Sequence, residues 1–250
     1  MDKKEGELNG KVAVVTGSGR GIGKAIAIAY AKAGASVCSA ARTLAQIEET
    51  VKEIEKTGGR GLAVQTDVTQ LQSVERMFKT VVDYFGGLDI LVINAGGSYD
   101  RRQIEESVPE DWLATLGVNL IGAYYCAKAA IPYLKQRGSG KIITIGSGIG
   151  HRGRGGDSAY ACSKAGLWML TRVLAQELWQ YNISVNELIP GPVRTPMTVN
   201  PSRQTKGSVF EIESEWIKSP EDVVPLALFL ATQPAIGPTA QSFSLMRRDN

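Results

Sequence analysis

Short runs of Val, Ile, Leu and Ala recur along the chain, and a stretch with helical spacing separates each run from the next. The runs are KVAVVT from Lys11, SVCSAA, GLAVQTDV, LDILVINAGG, GKIITIGS, ISVNELIP and QSFSLM. Between them lie GKAIAIAYAKAGA, LAQIEETVKEIEKTGG, SVERMFKTVVDYFGG, a long helical region from about Trp112 to Gln136, SAYACSKAGLWMLTRVLAQELWQ and PEDVVPLALFLAT. Strands that are apolar on both faces belong in a sheet covered on both sides, which is where parallel strands occur. Regular strand–helix alternation then selects an α/β, doubly wound sheet of about seven mostly parallel strands with helices on both faces. No repeat, linker or low-complexity stretch interrupts the pattern, so residues 1–250 are expected to form a single domain. The least regular segment, 195–218, is expected to be a loop over a substrate site.

With 250 residues such a domain buries a substantial core without disulfides or metals. A net charge of +3 is too small for a nucleic-acid binder. No apolar run reaches membrane-spanning length and the polar first ten residues do not resemble a secretory leader, so a cytoplasmic protein with neither nucleic-acid nor membrane partners is expected. Cys38, Cys126 and Cys162 are too far apart for a metal or disulfide framework and are read as buried thiols; no metal site is expected.

The first apolar run leads into TGSGRGIG, Thr16 to Gly23. A strand, a glycine-rich turn and a helix together make a phosphate site. Glycines let a ligand approach the backbone, and the helix N-terminus offers unpaired N–H groups and partial positive charge. The expected ligand is a dinucleotide pyrophosphate, in a Rossmann-type arrangement. A strict G-x-G-x-x-G is absent in every register, and Lys24 followed by Ala25 excludes a P-loop.

The spacing T-G-x-x-x-G-x-G, at Thr16, Gly17, Gly21 and Gly23, resembles the fingerprint of classical short-chain dehydrogenases/reductases. Further matches follow in order: Asp67-Val68 after the third run, Asn94-Ala95-Gly96 after the fourth, Asn119 in the long helix, Ser147 after the fifth run, Tyr160-x-x-x-Lys164, and Pro190-Gly191-Pro192-Val193-Arg194-Thr195 after the sixth. The resemblance spans about Lys11 to Met246. It implies that Gly17, Ser18, Gly19, Arg20, Gly21, Ile22 and Gly23 hold the cofactor phosphates, and that Asp67 and Val68 meet the adenine. Asn94, Ala95, Gly96, Tyr160, Lys164, Pro190, Gly191, Val193 and Thr195 would line the rest of the cofactor, Thr195 by bonding the nicotinamide carboxamide. It also implies a catalytic set of Asn119, Ser147, Tyr160 and Lys164, with hydride transfer from the pro-S face. Asn119 would hold a water linking Lys164 to solvent.

The chemistry of these residue types fits that role. Tyr160 and Lys164 are four apart and share a helix face. A neighbouring ammonium stabilises a phenolate, so Tyr160 is expected to become a usable acid–base at neutral pH, with Ser147 steadying charge on the substrate oxygen. After the second run no acid stands where it would bind the adenosine ribose. Arg42 stands there instead, with Arg20 in the glycine turn, and two guanidiniums suit a 2′-phosphate. The expected cofactor is NADP(H) in preference to NAD(H), and the expected substrate a small carbonyl compound or alcohol.

Among family members the chain is similar to 3-oxoacyl-(acyl-carrier-protein) reductases, so a 3-oxoacyl thioester is an alternative substrate. Two departures bear on it: Tyr181-Asn182 replaces an arginine common before the sixth strand, and the chain ends SLMRRDN rather than in Asp-Gly-Gly after the last strand. A non-catalytic NADPH-binding regulator is the alternative from another class, although it would not need Ser147, Tyr160 and Lys164. Arg203, Lys206, Val199, Val209, Phe210, Ile212 and Trp216 are candidates for substrate contact, and His151 is read as a loop residue at the site mouth. The family resemblance further implies a homodimer or homotetramer built on the helices carrying Asn119 and Tyr160.

Overall fold

The structure is a computed structural model that describes residues 6–198 and 215–247. Seven strands form one sheet: β1 (Val12–Thr16), β2 (Ser36–Ala41), β3 (Arg60–Gln65), β4 (Ile90–Ile93), β5 (Gly140–Ile145), β6 (Ile183–Ile189) and β7 (Ser242–Ser244). Their spatial order is β3-β2-β1-β4-β5-β6-β7, and every pairing is parallel. The expected "mostly parallel" sheet is therefore wholly parallel among the described residues.

Alternation along each strand divides the core in two. From β1, Val12 and Val14 pack on one side with Phe78, Ala127 and Leu174; these come from α3 (Leu71–Phe85), α5 (Gly122–Arg137) and α7 (Ser158–Leu178). Ala13 and Val15 face the other side and meet Ile26, Tyr30, Ile54 and Leu230, from α1 (Gly21–Lys32), α2 (Leu44–Lys56) and α8 (Val224–Thr232). Tyr30 is fully buried and donates to the Ala227 carbonyl at 2.7 Å, joining α1 to α8. Cys38 and Cys126 are buried as expected, and burial pushes the Cys126 thiol up to about 12. Cys162 contradicts the buried-thiol reading: it lies on an exposed face of α7.

The long helical region is not one helix. It comprises α4 (Pro109–Leu116), a π turn over Gly117–Ile121, and α5. A five-residue helix, α6 (Gly148–Arg152), follows β5, where the sequence reading places no element.

One carboxylate ties together the ends of the strands remote from the site. Asp89, just before β4, is 5 % exposed. It accepts from the Val12 N–H at 2.9 Å and from Arg137 Nε and Nη2 at 3.1 and 3.2 Å. Asp89→Ala removes the acceptor of a buried N–H, so a loss of about 2–3 kcal/mol in unfolding free energy is expected, with Asp89→Asn retaining part of it. The midpoint of urea unfolding checks this, and an unchanged midpoint would show the cluster to be energetically idle.

Sheet order reverses between β1 and β4. At such a point the connections leave in opposite directions and open a crevice at the strands' carboxyl ends. Six of the stretches singled out for function begin at that edge, whereas Asn119 and the Tyr160–Lys164 pair lie on helical segments. The glycine turn follows β1, Arg42 follows β2, Asp67 follows β3, Asn94 follows β4, Ser147 follows β5 and Pro190 follows β6.

Candidate active site

Two adjoining cavities occupy the crevice. One is lined by the glycine turn, Arg20, Arg42, Asp67, Val68 and Asn94 to Tyr99. The other is lined by Asn119, Ser147, Tyr160, Lys164 and Pro190 to Val193. Ile22, Asn94, Gly96 and Thr195 line both and mark where they meet. Of the catalytic and cofactor-contacting residues named from the sequence, only Ser18 and Gly23 line neither.

Ser18 is a correction. Its hydroxyl turns inward, donates to the Val15 carbonyl at 2.8 Å, accepts from the Ala40 N–H at 2.9 Å and lies 2.7 Å from Ser39 Oγ. It joins the ends of β1 and β2 and has no side-chain atom left for a ligand. The glycines also differ from expectation in what they make room for. Gly17 has φ +65°, and a Cβ there would stand 2.8 Å from the Ala95 Cα. A Cβ on Gly23 would collide with Asn94 Nδ2. The chain's own packing therefore demands these two glycines, because β4 approaches the turn so closely. Asn94 fastens that approach, donating from Nδ2 to the carbonyls of Thr16 at 2.8 Å and Gly17 at 3.1 Å.

The turn still offers a phosphate cradle. α1 begins at Gly21 with no side-chain cap and no acid in its first turn, which leaves its leading N–H groups for an anion. Arg42 is exposed at the cavity rim, its Nη2 3.4 Å from Tyr99 Oη, and no carboxylate stands at the end of β2. These features fit a phosphorylated dinucleotide.

In the second cavity the π turn locks the catalytic helix. Asn119 accepts from the Gly97 N–H at 2.9 Å and donates from Nδ2 to the Gly97 carbonyl at 2.8 Å and to Ser163 Oγ at 2.9 Å. Ser163 in turn donates to the Tyr160 carbonyl at 2.8 Å. Both Asn119 amide hydrogens are thus engaged, which leaves its main chain and the second lone pair of Oδ1 for a relay water. Ser147 caps α6, accepting from the Ile149 N–H at 3.3 Å, and its hydroxyl also hydrogen-bonds Tyr160.

Lys164 donates to the Ile145 carbonyl at 2.7 Å, and its Nζ is 5.7 Å from the Tyr160 ring centroid. Burial lowers its pKa to about 8, against an opposing pull from the Glu187 charge. Burial is also the largest influence on Tyr160 and holds the phenol above its usual value; the Ser147 hydrogen bond and the Arg101 charge act downward, and Asp157 upward. The expectation that the ammonium makes the phenol acidic is therefore not met by these side-chain positions, because desolvation outweighs the downward influences.

Four site-region residues were missed. Arg101, Arg154 and Asp157 line the second cavity. Glu187 lies behind it on β6, fully buried. Glu187 Oε2 accepts from Ser242 Oγ at 2.6 Å and lies 2.9 Å from His151 Nε2, while Oε1 has no partner among the described residues. His151 is thus on α6 and bonded beneath the site, not at its mouth. Gly146 is fixed by the same group, since a Cβ there would collide with Glu187 Oε1. A signal for Glu187 did exist: a carboxylate in the middle of a run expected to be a buried strand. Trp216 is 46 % exposed and lines neither cavity, and the remaining substrate-loop candidates, Val199 to Ile212, lie outside the described residues. Met246, from the unusual chain end, does line the second cavity.

A dinucleotide-type crevice at the switch point of a parallel sheet, with Ser, Tyr and Lys in one cavity, defines a Rossmann-type oxidoreductase architecture. A family model described as short chain dehydrogenase matches residues 11–206. The chain belongs to the short-chain dehydrogenase/reductase family. It is 36% identical over 240 residues to a 3-oxoacyl-[acyl-carrier-protein] reductase of Synechocystis, covering 95% of this chain and 96% of that protein. It is 37% identical over 236 residues to the short chain dehydrogenase/reductase astE of Aspergillus oryzae, covering 91% and 90%. The crystal structure of a short-chain type dehydrogenase/reductase from Mycobacterium marinum superposes with a TM-score of 0.88 at 33% identity, over 96% of this chain and 95% of that one.

Proposed function

We propose that the protein is an NADP(H)-dependent oxidoreductase that interconverts a ketone and a secondary alcohol, with Tyr160 as the proton donor and acceptor. The observation that carries this reading is the convergence of Ser147, Tyr160 and Lys164 on one cavity that adjoins the glycine turn. When bound, the reduced nicotinamide supplies hydride to the carbonyl carbon. Ser147 donates a hydrogen bond to the carbonyl oxygen, and Tyr160 delivers the proton as negative charge grows there. A phenol held above its usual pKa by burial is kept protonated, which suits the reductive direction. Lys164 supplies buried positive charge beside the phenol, and Pro190, Gly191, Val193 and Thr195 would border the nicotinamide end.

Arg20 and Arg42 would bond the 2′-phosphate, with the first turn of α1 on the pyrophosphate and Asp67 and Val68 at the adenine. NADPH is expected to exceed NADH in kcat/KM by about tenfold or more, the scale of charge-assisted bonds to one phosphate. Arg42→Asp is expected to move the preference toward NADH. A native preference for NADH would overturn the cofactor assignment.

The test of the reaction class is NADPH oxidation against ketones, diketones and acetoacetyl thioesters; tight NADPH binding without turnover of any would favour a regulator. The 3-oxoacyl thioester reading is favoured by similarity to relatives such as the Synechocystis 3-oxoacyl-[acyl-carrier-protein] reductase. Exposed Ile121 and Tyr124, before and on α5, and Met169 and Val173 on α7 support a homodimer or homotetramer built on those helices. A cytoplasmic setting agrees with the absence, among the described residues, of any helix long and apolar enough to cross a membrane.

A further inference from the structure

We propose that Tyr99 is a specificity residue for the cofactor: its hydroxyl, paired with Arg42, donates to the ribose 2′-phosphate and selects the phosphorylated dinucleotide. The inference rests on the NADP(H) reading above and adds to it a residue outside the motifs that suggested that reading.

Arg42 and Tyr99 are 57 residues apart and follow different strands, Arg42 after β2 and Tyr99 in the segment after β4. β1 lies between those two strands, so the contact spans the crevice beside the glycine turn. Both residues line the cavity that also holds Gly19, Arg20 and Gly21. Arg42 Nη2 donates to Tyr99 Oη at 3.4 Å, and no carboxylate pairs with Arg42 among the described residues.

Local structure puts the hydroxyl there. The Tyr99 N–H donates to Thr115 Oγ1 at 3.0 Å, and the flanking Ser98 and Asp100 are buried. Tyr99 itself is 38 % exposed, so the chain turns this one side chain outward. The far end of its ring rests over Gly97, where a Cβ would stand 3.0 Å from both Cζ and Oη. Gly97 is itself bonded to Asn119 through its N–H and its carbonyl. On the other side, the Arg42 carbonyl accepts from Gln65 Nε2 at 2.8 Å.

A phenol hydroxyl accepts and donates at once. Accepting from a guanidinium polarises its O–H and makes it a stronger donor. An anion held by Arg42 then receives a second, charge-assisted bond from Tyr99. A carboxylate in the same place would also pair with Arg42 but would repel a phosphate. The unphosphorylated cofactor presents a neutral 2′-hydroxyl instead, which gains less from the same donor.

The test is calorimetric binding of NADPH and NADH to the full chain, with adenosine 2′,5′-bisphosphate and adenosine 5′-monophosphate as probes of the adenosine end alone. Tyr99→Phe keeps the ring and removes the hydroxyl. It is expected to weaken NADPH and the bisphosphate about tenfold, the scale of one hydrogen bond to a charged group, and to leave NADH and the monophosphate within about twofold. In an Arg42→Ala background the same change is expected to weaken NADPH about threefold or less, because the guanidinium that holds and polarises the hydroxyl is gone. The midpoint of urea unfolding reports whether each variant is folded. A ratio of NADH to NADPH dissociation constants that Tyr99→Phe leaves unchanged, a loss shared equally by both cofactors included, overturns the proposal alone. An undiminished effect in the Arg42→Ala background does the same. Native protein that binds NADPH no more tightly than NADH overturns the cofactor reading and the role of Tyr99 together.

Discussion

Tyr160→Phe protein is expected to reduce ketones with kcat/KM lower by about 10³, within the range that general acid–base groups contribute. The substitution removes one oxygen and keeps the ring. The anchors of that ring are main-chain and remote from the hydroxyl: Ser163 bonds the Tyr160 carbonyl, and Asn119 fixes Ser163 to the end of β4. NADPH affinity is expected to stay within about fivefold, because a lost neutral hydrogen bond is worth about 1 kcal/mol. Single-turnover reduction with saturating NADPH separates the two quantities. Native rates from the phenylalanine protein would remove Tyr160 from the mechanism and with it the proposed reaction.

The second large effect concerns Glu187→Gln, a residue that touches neither cavity. Burial alone drives Lys164 toward the neutral amine, and the Glu187 charge opposes it. Without that charge the lysine pKa falls below its present value of about 8. If the reaction needs the ammonium, the alkaline limb of kcat/KM moves to lower pH, by about one unit or more for a buried neighbouring charge. The sign is fixed: a carboxylate favours the charged lysine, so its loss cannot move the limb upward. Weakening the hydrogen bonds that the carboxylate makes with His151 and Ser242 also costs stability, about 2 kcal/mol. A purely structural role for Glu187 would lower the unfolding midpoint and leave the limb in place, so the pH profile decides between the two.

The sheet was legible in the sequence because each parallel strand is a short apolar run and each helix an amphipathic one. Tyr160, Lys164 and Ser147 were legible because their motif is local: a four-residue spacing, or a position just past a strand. What stayed hidden depends on distant contacts. Glu187 meets His151 and Ser242, 36 and 55 residues away, and only the β5–β6–β7 pairings bring them together. Arg101 reaches Asp157 only once the segment following β4 lies beside the start of α7. The π turn at Gly117–Ile121 was hidden for another reason. It contains no proline; Gly117 and Gly122 bracket it, and Asn119 within it is anchored to Gly97 by side-chain hydrogen bonds that span the gap to the end of β4. The glycine turn was located correctly but explained incompletely, since at Gly17 and Gly23 the close neighbour is β4's own end.

The sign of charge along the whole crevice has a kinetic consequence. Among the described residues lining the two cavities, Arg20, Arg42, Arg101, Arg154 and Lys164 are cationic, and Asp67 and Asp157 are anionic. A concave surface with that imbalance concentrates field lines and draws in negatively charged molecules before any contact is made. Encounter with a phosphorylated nucleotide is steered from a distance, and added electrolyte, which shortens the Debye length, slows that capture more than it loosens the complex once formed.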